Sequence, residues 1–254
     1  ASSADVIDPD NVFQVCFTDP NQGTASAQYI ADNNMATKIG IIYDSSDVYS
    51  SGIEATFVAE AKARGLEIVA TEAFTADSKT DFSTQLQTCK DAGADLLFLP
   101  FYYQEASIVL NQANQMGYAP VFFGVDGMDG ILGVENFDTS LAEGVVLLTP
   151  FVATATDDAT KSFVQKYEEA YGETPIQFAA DAYDAVYIMK AIIEAKGLTP
   201  EMSVEELGAA MSEGITELTF TGLTGDGMTW DASGAVSKAP KAMVIKNGVY
   251  APMD

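Results

Sequence analysis

The chain holds 254 residues with 37 acidic and 12 basic side chains, a formal net charge of −25, and 48% hydrophobic residues. That is enough apolar material for one large domain or two small lobes. The charge argues against a phosphate-backbone partner and against an anionic membrane surface, both of which recruit Lys and Arg.

Several chemistries are missing outright. There is no histidine, which removes Ser-His-Asp and Cys-His nucleophile systems, zincin motifs and His-ligated metals. Arg64 is the only arginine, so no arginine cluster can clamp a phosphate or dicarboxylate. Neither GxGxxG after a strand nor GxxxxGK[ST] occurs, leaving nucleotide use without support. No apolar run approaches the ~20 residues that span a membrane. Ala1-Ser2-Ser3-Ala4-Asp5 does not read as a signal peptide, so such a segment is expected to have been removed or never present. No catalytic residue, metal site or cofactor is expected. Cys16, in an apolar strand run, and Cys89, in a helical one, fit either two buried thiols or a disulfide.

In chain order, strands are predicted at Val12–Phe17, Lys38–Tyr43, Glu67–Phe74, Leu96–Leu99, Pro120–Phe123 and Val145–Leu148. These β-branched or aromatic runs lack polar alternation, as strands buried on both faces should. Helical patterns alternate with them at Thr24–Asn33, Ser51–Arg64, Phe82–Asp91 and Glu105–Met116. Gly65 and Gly117 follow two of the helices as C-terminal stops, and Thr80 or Asp81 offers an N-cap to the third. Repeated βα units in this order predict an α/β fold with a doubly wound parallel sheet.

The pattern changes after Pro150. Asp157–Tyr171 and Gln177–Ala195 read as long helices with no strand between them, and Val204–Met211 as a shorter one. Short strands follow at Glu217–Thr221 and Met228–Trp230, then a hairpin at Ala242–Lys246 and Val249-Tyr250 turned by Asn247-Gly248. Ile176, Phe178, Ala182, Val186 and Met189 need a surface to bury against that the chain does not visibly supply. Tyr and Met residues over Tyr183–Met189 read as core.

Ligands of open parallel sheets sit outside the carboxyl ends of the strands. Those positions carry Asp19-Pro20-Asn21-Gln22-Gly23, Asp44-Ser45-Ser46-Asp47-Val48-Tyr49, Pro100-Phe101-Tyr102-Tyr103-Gln104-Glu105 and Gly124-Val125-Asp126-Gly127. Hydroxyls, phenols, carboxylates and helix N-terminal amides suit a small zwitterion. Other readings stand beside this one. Tyr49 and Tyr102 fit rim aromatics with wet hydroxyls equally well, and Asp44 and Asp126 could cap the elements that follow them. Asp226 and Asp231 read as turn residues, because their spacing does not match the calcium-binding D-x-[DN]-x-[DN]-G loop.

The segment from Asn11 to Gly23, then Ile41-Ile42-Tyr43-Asp44 with Tyr49 and Gly52, resembles the type I periplasmic binding proteins of ABC importers, in particular the leucine/isoleucine/valine-binding family. Asp81-Phe82-Ser83, Tyr102-Tyr103, Gly117, Glu143-Gly144-Val145 and Ala182-Tyr183-Asp184-Ala185 fit the same pattern in order and spacing. Thr221-Gly222 followed by Trp230-Asp231-Ala232-Ser233-Gly234 is similar to the family's closing motif. The resemblance covers essentially the whole chain and implies two α/β lobes hinged around a cleft. It assigns 1–150 and 241–254 to the C-terminal lobe with the entering crossover, and 151–240 to the remaining part of the N-terminal lobe and a crossover. The family's first segment is then missing, so the N-terminal lobe is expected to be incomplete, as in a fragment or truncated chain.

Carried over position by position, the resemblance places the ammonium-binding acid at Asp126, an aspartate where the family more often has glutamate. It places cleft tyrosines at Tyr49 and Tyr102, the aromatic packing on the ligand side chain at Phe178, and contacts to the ligand carboxylate at Ser2 or Ser3. It implies a non-enzymatic, extracytoplasmic protein that delivers an amino acid, branched-chain or otherwise aliphatic, to an ABC permease complex. A ligand-sensing module of the same fold, or a binder of an amide, urea or aromatic acid, is the alternative.

Overall fold

Runs that are apolar on both faces bury best between two layers, and in the computed structural model they form the centre of one sheet. Ser3 and residues 11–253 are described. Among the described residues, seven strands share this sheet: β1 (Ile39–Asp44), β2 (Ile68–Phe74), β3 (Leu96–Leu99), β4 (Val121–Gly124), β5 (Val146–Thr149), β6 (Lys241–Lys246) and β7 (Val249–Pro252). Their spatial order is β2-β1-β3-β4-β5-β6-β7. The first five run parallel, and β6–β7 joins beside β5 as an antiparallel hairpin. The α/β class with its parallel sheet is as the sequence predicts, with two antiparallel strands added at one edge. Asn247 and Gly248 both take positive φ, 56° and 74°, which matches the right-handed twist of the strands they connect.

The chain forms two compact units. One comprises Asp19–Thr149 and Pro240–Asp254; it holds the sheet and helices α1 (Asp19–Asp32), α2 (Val48–Arg64), α3 (Ser83–Asp91) and α4 (Tyr103–Gln115). Ile39, Ile41, Ile53, Phe57, Phe98, Phe123 and Leu148 are among its buried core residues. Phe57 stacks on Phe98 with centroids 3.9 Å apart. The other unit comprises Ala1–Thr18 and Pro150–Ala239, with α5 (Asp158–Tyr171), α6 (Gln177–Lys196) and α7 (Val204–Glu217). One of its apolar clusters gathers Ile188, Ile192, Ile215, Met228, Trp230 and Val236.

Several expectations need correction. Val12–Phe17 is not a strand: Gln14 N donates to Gly234 O and its carbonyl accepts from Trp230 Nε1 at 2.6 Å, so this backbone bonds to a turn rather than to a ladder. Asp19-Pro20-Asn21-Gln22-Gly23 is not a loop but the opening of α1, where proline's missing N–H costs nothing. The N-cap of α3 is Phe82; Asp81 instead accepts from Ser83 N at 3.0 Å. Helix α7 runs on to Glu217 through Gly208 and Gly214, because Gly214 lies where the Ile192 side chain of α6 presses close. The strands expected at 217–221 and 228–230 are single bridges, Phe220 to Met228 and Trp230 to Val236.

Tyr183, Tyr187 and Met189 are exposed rather than core, as is Val186. The buried α6 residues are Gln177, Ala180, Asp181, Asp184, Ile188 and Ile192, on another face of the helix.

Cys16 and Cys89 are not joined in a disulfide. Cys89 is buried, and desolvation, followed by the charge of Glu72, pushes its thiol up to about 12. The thiolate is the reactive form, so Cys89 is expected to resist iodoacetamide at pH 8 in the native protein and to alkylate only after unfolding. Peptide mass mapping of native and unfolded samples reads this directly; native alkylation at Cys89 would contradict the burial.

Candidate functional site

The strand order reverses between β1 and β3, and the loops beyond the carboxyl ends of such a switch point converge on one crevice. The loop after β1 is fixed before α2 begins. Asp44 Oδ1 accepts from Ser46 N at 2.8 Å and Ser46 Oγ at 2.6 Å, while Asp44 N donates to Ser50 Oγ at 2.8 Å. The N-cap of α2 is Asp47, which accepts from Tyr49 N; Asp44 therefore braces a turn and caps no helix. These bonds set Tyr49 in the first turn of α2 with its side chain turned inward, only 5% exposed.

The phenol of Tyr49 donates to Asp126 Oδ1 at 2.6 Å and accepts from Gly127 N at 2.9 Å. Burial, and then the adjacent Asp126 carboxylate, raises this phenol well above its ordinary value, so it remains a donor throughout the physiological range. Asp126 follows β4, is 3% exposed and opens a short 3-10 turn whose N-cap is Val125. Its carboxylate thus faces Tyr49 and does not cap the turn. Tyr102, after β3, stacks on Tyr49 with centroids 4.8 Å apart and 19° between planes, and it is 38% exposed. Gly127 permits this closeness: a Cβ there would stand 2.6 Å from Tyr49 Oη and 3.3 Å from Tyr102 Cδ1.

The arrangement presents a buried, oriented carboxylate beside an accessible aromatic face. Carboxylates and ring faces both attract ammonium groups, and more strongly where water is displaced. Tyr49, Tyr102 and Asp126, each just beyond the carboxyl end of a different strand, are therefore brought together within one unit. Ser3 and Phe178 lie in the other unit. There Ser3 O accepts from Gln14 Nε2 at 2.8 Å, and Phe178, in the first turn of α6, is 41% exposed. Ser2 lies outside the described residues.

Two features escape a reading of the sequence. Gln22, fully buried in α1, accepts from Asp126 N at 3.2 Å; the 104 positions between them give no local signal. In the other unit, the side chain of Lys238 is 0% exposed and donates to Asp181 Oδ1 at 3.0 Å and Thr224 Oγ1 at 2.6 Å. Asp184 accepts from Leu223 N, Thr224 N and Thr224 Oγ1 at 2.7–2.9 Å. A Cβ at Gly222 would meet the Asp184 carboxylate at 2.5–2.6 Å, so that turn needs glycine for close approach. Asp226 and Asp231 accept from Thr221 and Ser233, as turn residues do. Among the described residues no cluster of three or more Cys, Asp or Glu is placed to hold a metal, and no helix is long and apolar enough to cross a membrane.

The sequence matches a family model, periplasmic binding protein, over residues 2–248. Leu/Ile/Val-binding protein homolog 3 of Brucella melitensis is 28% identical over 196 residues, covering 76% of this chain and 51% of the relative. Homolog 2 of Brucella abortus is 27% identical over 238 residues, covering 92% and 60%. The chain thus spans somewhat over half the length of these curated relatives. Its fold superimposes on the leucine-binding protein LivK of Thermotoga maritima with TM-score 0.85 at 26% identity, covering 99% of this chain and 69% of that one. It also superimposes on the branched-chain amino acid transporter substrate-binding protein LivJ of Streptococcus pneumoniae, solved with isoleucine, with TM-score 0.79 at 29% identity, covering 92% and 64%. With the family pattern matched along nearly its whole length and the fold shared throughout, the chain belongs to the periplasmic binding protein family.

Proposed function

We propose that this protein is a non-enzymatic, extracytoplasmic solute-binding protein of an ABC importer, and that its ligand is a small aliphatic α-amino acid of the branched-chain type. The observation that carries the reading is the Asp126 carboxylate, held at 2.6 Å by the Tyr49 phenol beside the accessible ring of Tyr102. In this reading the ligand's ammonium donates to Asp126 and lies against Tyr102. Ser2 or Ser3, for the ligand carboxylate, and Phe178, for its side chain, enter through the family pattern alone. The isoleucine held by the LivJ relative supports the ligand class. Binding then selects the form of the protein that the permease recognises, which requires only that the ligand prefer that form.

Native mass spectrometry with a pool of the twenty amino acids tests this. One discrete mass increase, matching leucine, isoleucine or valine, is the expected result. A chain that takes up none of the twenty at millimolar concentration would overturn the amino acid reading.

A further inference from the structure

Two different helices hold Asp126. Tyr49, at the start of α2, bonds to its carboxylate, while Gln22, in the first turns of α1, accepts from its main-chain N–H at 3.2 Å. Gln22 can reach that far because α1 lies directly on the backbone of α2. A Cβ on Gly23 would collide with Thr56 Oγ1 and Ile53 O, and would stand 2.7 Å from Phe57 N. Ile53 and Phe57 belong to the same buried core as β1, β3 and β4. The α1–α2 contact and the end of β4 are therefore parts of one packed body, and Gln22 sits at the junction.

We propose that Gln22 is a positioning residue: it fixes the peptide of Asp126 so that, with Oδ1 tied to Tyr49, the carboxylate stands where a ligand ammonium can meet it. The assignment rests on the reading of Asp126 as the ammonium's partner. A binding group must be held to about 0.5 Å to deliver its full interaction. Gln22 fixes the main chain of Asp126 and Tyr49 its carboxylate; neither bond alone sets both.

The test is a cycle of four proteins titrated with L-leucine: wild type, Gln22→Met, Asp126→Asn and the double variant. Methionine keeps the length and burial of Gln22 and removes its acceptor oxygen. Gln22→Met is expected to weaken L-leucine binding about tenfold in the wild-type background and less than twofold when Asp126 is already Asn, since effects acting through one group do not add. Gln22→Asn, which keeps the amide and withdraws it by one methylene, is expected to fall between wild type and Gln22→Met and guards against a variant that does not fold. An equal loss in both backgrounds, or none in wild type, would overturn the role of Gln22 while Asp126 stands. If Asp126→Asn binds L-leucine like wild type, or wild type binds none, the Asp126 reading fails and takes the Gln22 assignment with it.

Discussion

Asp126→Ala is expected to lower affinity for the cognate amino acid by about two to three orders of magnitude. Asp126 is 3% exposed, so an ammonium that meets it gives up much of its own hydration. Removing one partner of a buried, hydrogen-bonded charge pair costs about 2–5 kcal/mol, mostly because the other charge is left buried and unpaired, and each 1.4 kcal/mol is roughly tenfold in affinity. The variant also strips the Tyr49 phenol of its acceptor while leaving the bond from Gly127 N in place, so the scaffold around the site should persist. Asp126→Glu separates charge from geometry. Its extra methylene points into the Tyr49 hydroxyl, now 2.6 Å from Oδ1, and the carboxylate must swing aside, for a loss of about tenfold. Isothermal titration checks both, with thermal unfolding as the control for folding. Asp126→Ala binding as tightly as wild type would remove Asp126 from the site.

Lys238→Met is expected to destabilise the protein by about 3–5 kcal/mol near pH 7, the usual cost of orphaning one member of a buried ion pair. The Lys238 side chain is wholly enclosed, and Asp181 beside it is nearly so. Asp184 keeps its three bonds from Leu223 and Thr224, so the damage falls on Asp181. Burial raises the Asp181 carboxyl above its usual range, and the charge of Lys238 pulls it partly back. A carboxyl raised on folding destabilises the native state as pH climbs through and above its unfolded value of about 3.8. Without Lys238 the carboxyl rises further, so the deficit of Lys238→Met should be smallest at pH 4 and widen toward neutrality. Adding Asp181→Leu should restore most of the loss, since an apolar pair can replace a buried ion pair at little cost. Denaturant unfolding at both pH values measures this. A flat pH dependence would show that Asp181 is not the group left exposed to the loss.

The strands were legible where burial on both faces leaves an unbroken apolar run. Leu96–Leu99 is β3 as predicted, and Lys38–Tyr43 lies one residue from β1. Val12–Phe17 has the same local character and is no strand, because a strand also needs a neighbour to pair with, and its backbone groups meet Gly234 and Trp230. The helix predicted to end at Met211 runs on to Glu217, and Gly214 within it answers to Ile192 on another helix, a distance that periodicity does not encode.

By itself the sequence determined the α/β class, the family pattern, the absence of histidine chemistry and the candidacy of Tyr49, Tyr102 and Asp126, each just beyond a strand and therefore at the end of the sheet where ligands bind. Tertiary structure alone decided what those residues do to one another. Strand order β2-β1-β3-β4 sets three loops side by side. The Tyr49 phenol, as open to a wet rim as to a ligand in the sequence, becomes a buried donor to Asp126. Gln22 and Lys238 gain their roles from partners 104 and 57 positions away. Local sequence sets the conformation of a segment and the chemistry it carries, but a hydrogen bond or buried charge pair forms only between groups that folding brings within about 3 Å, and that proximity is a property of the packed chain.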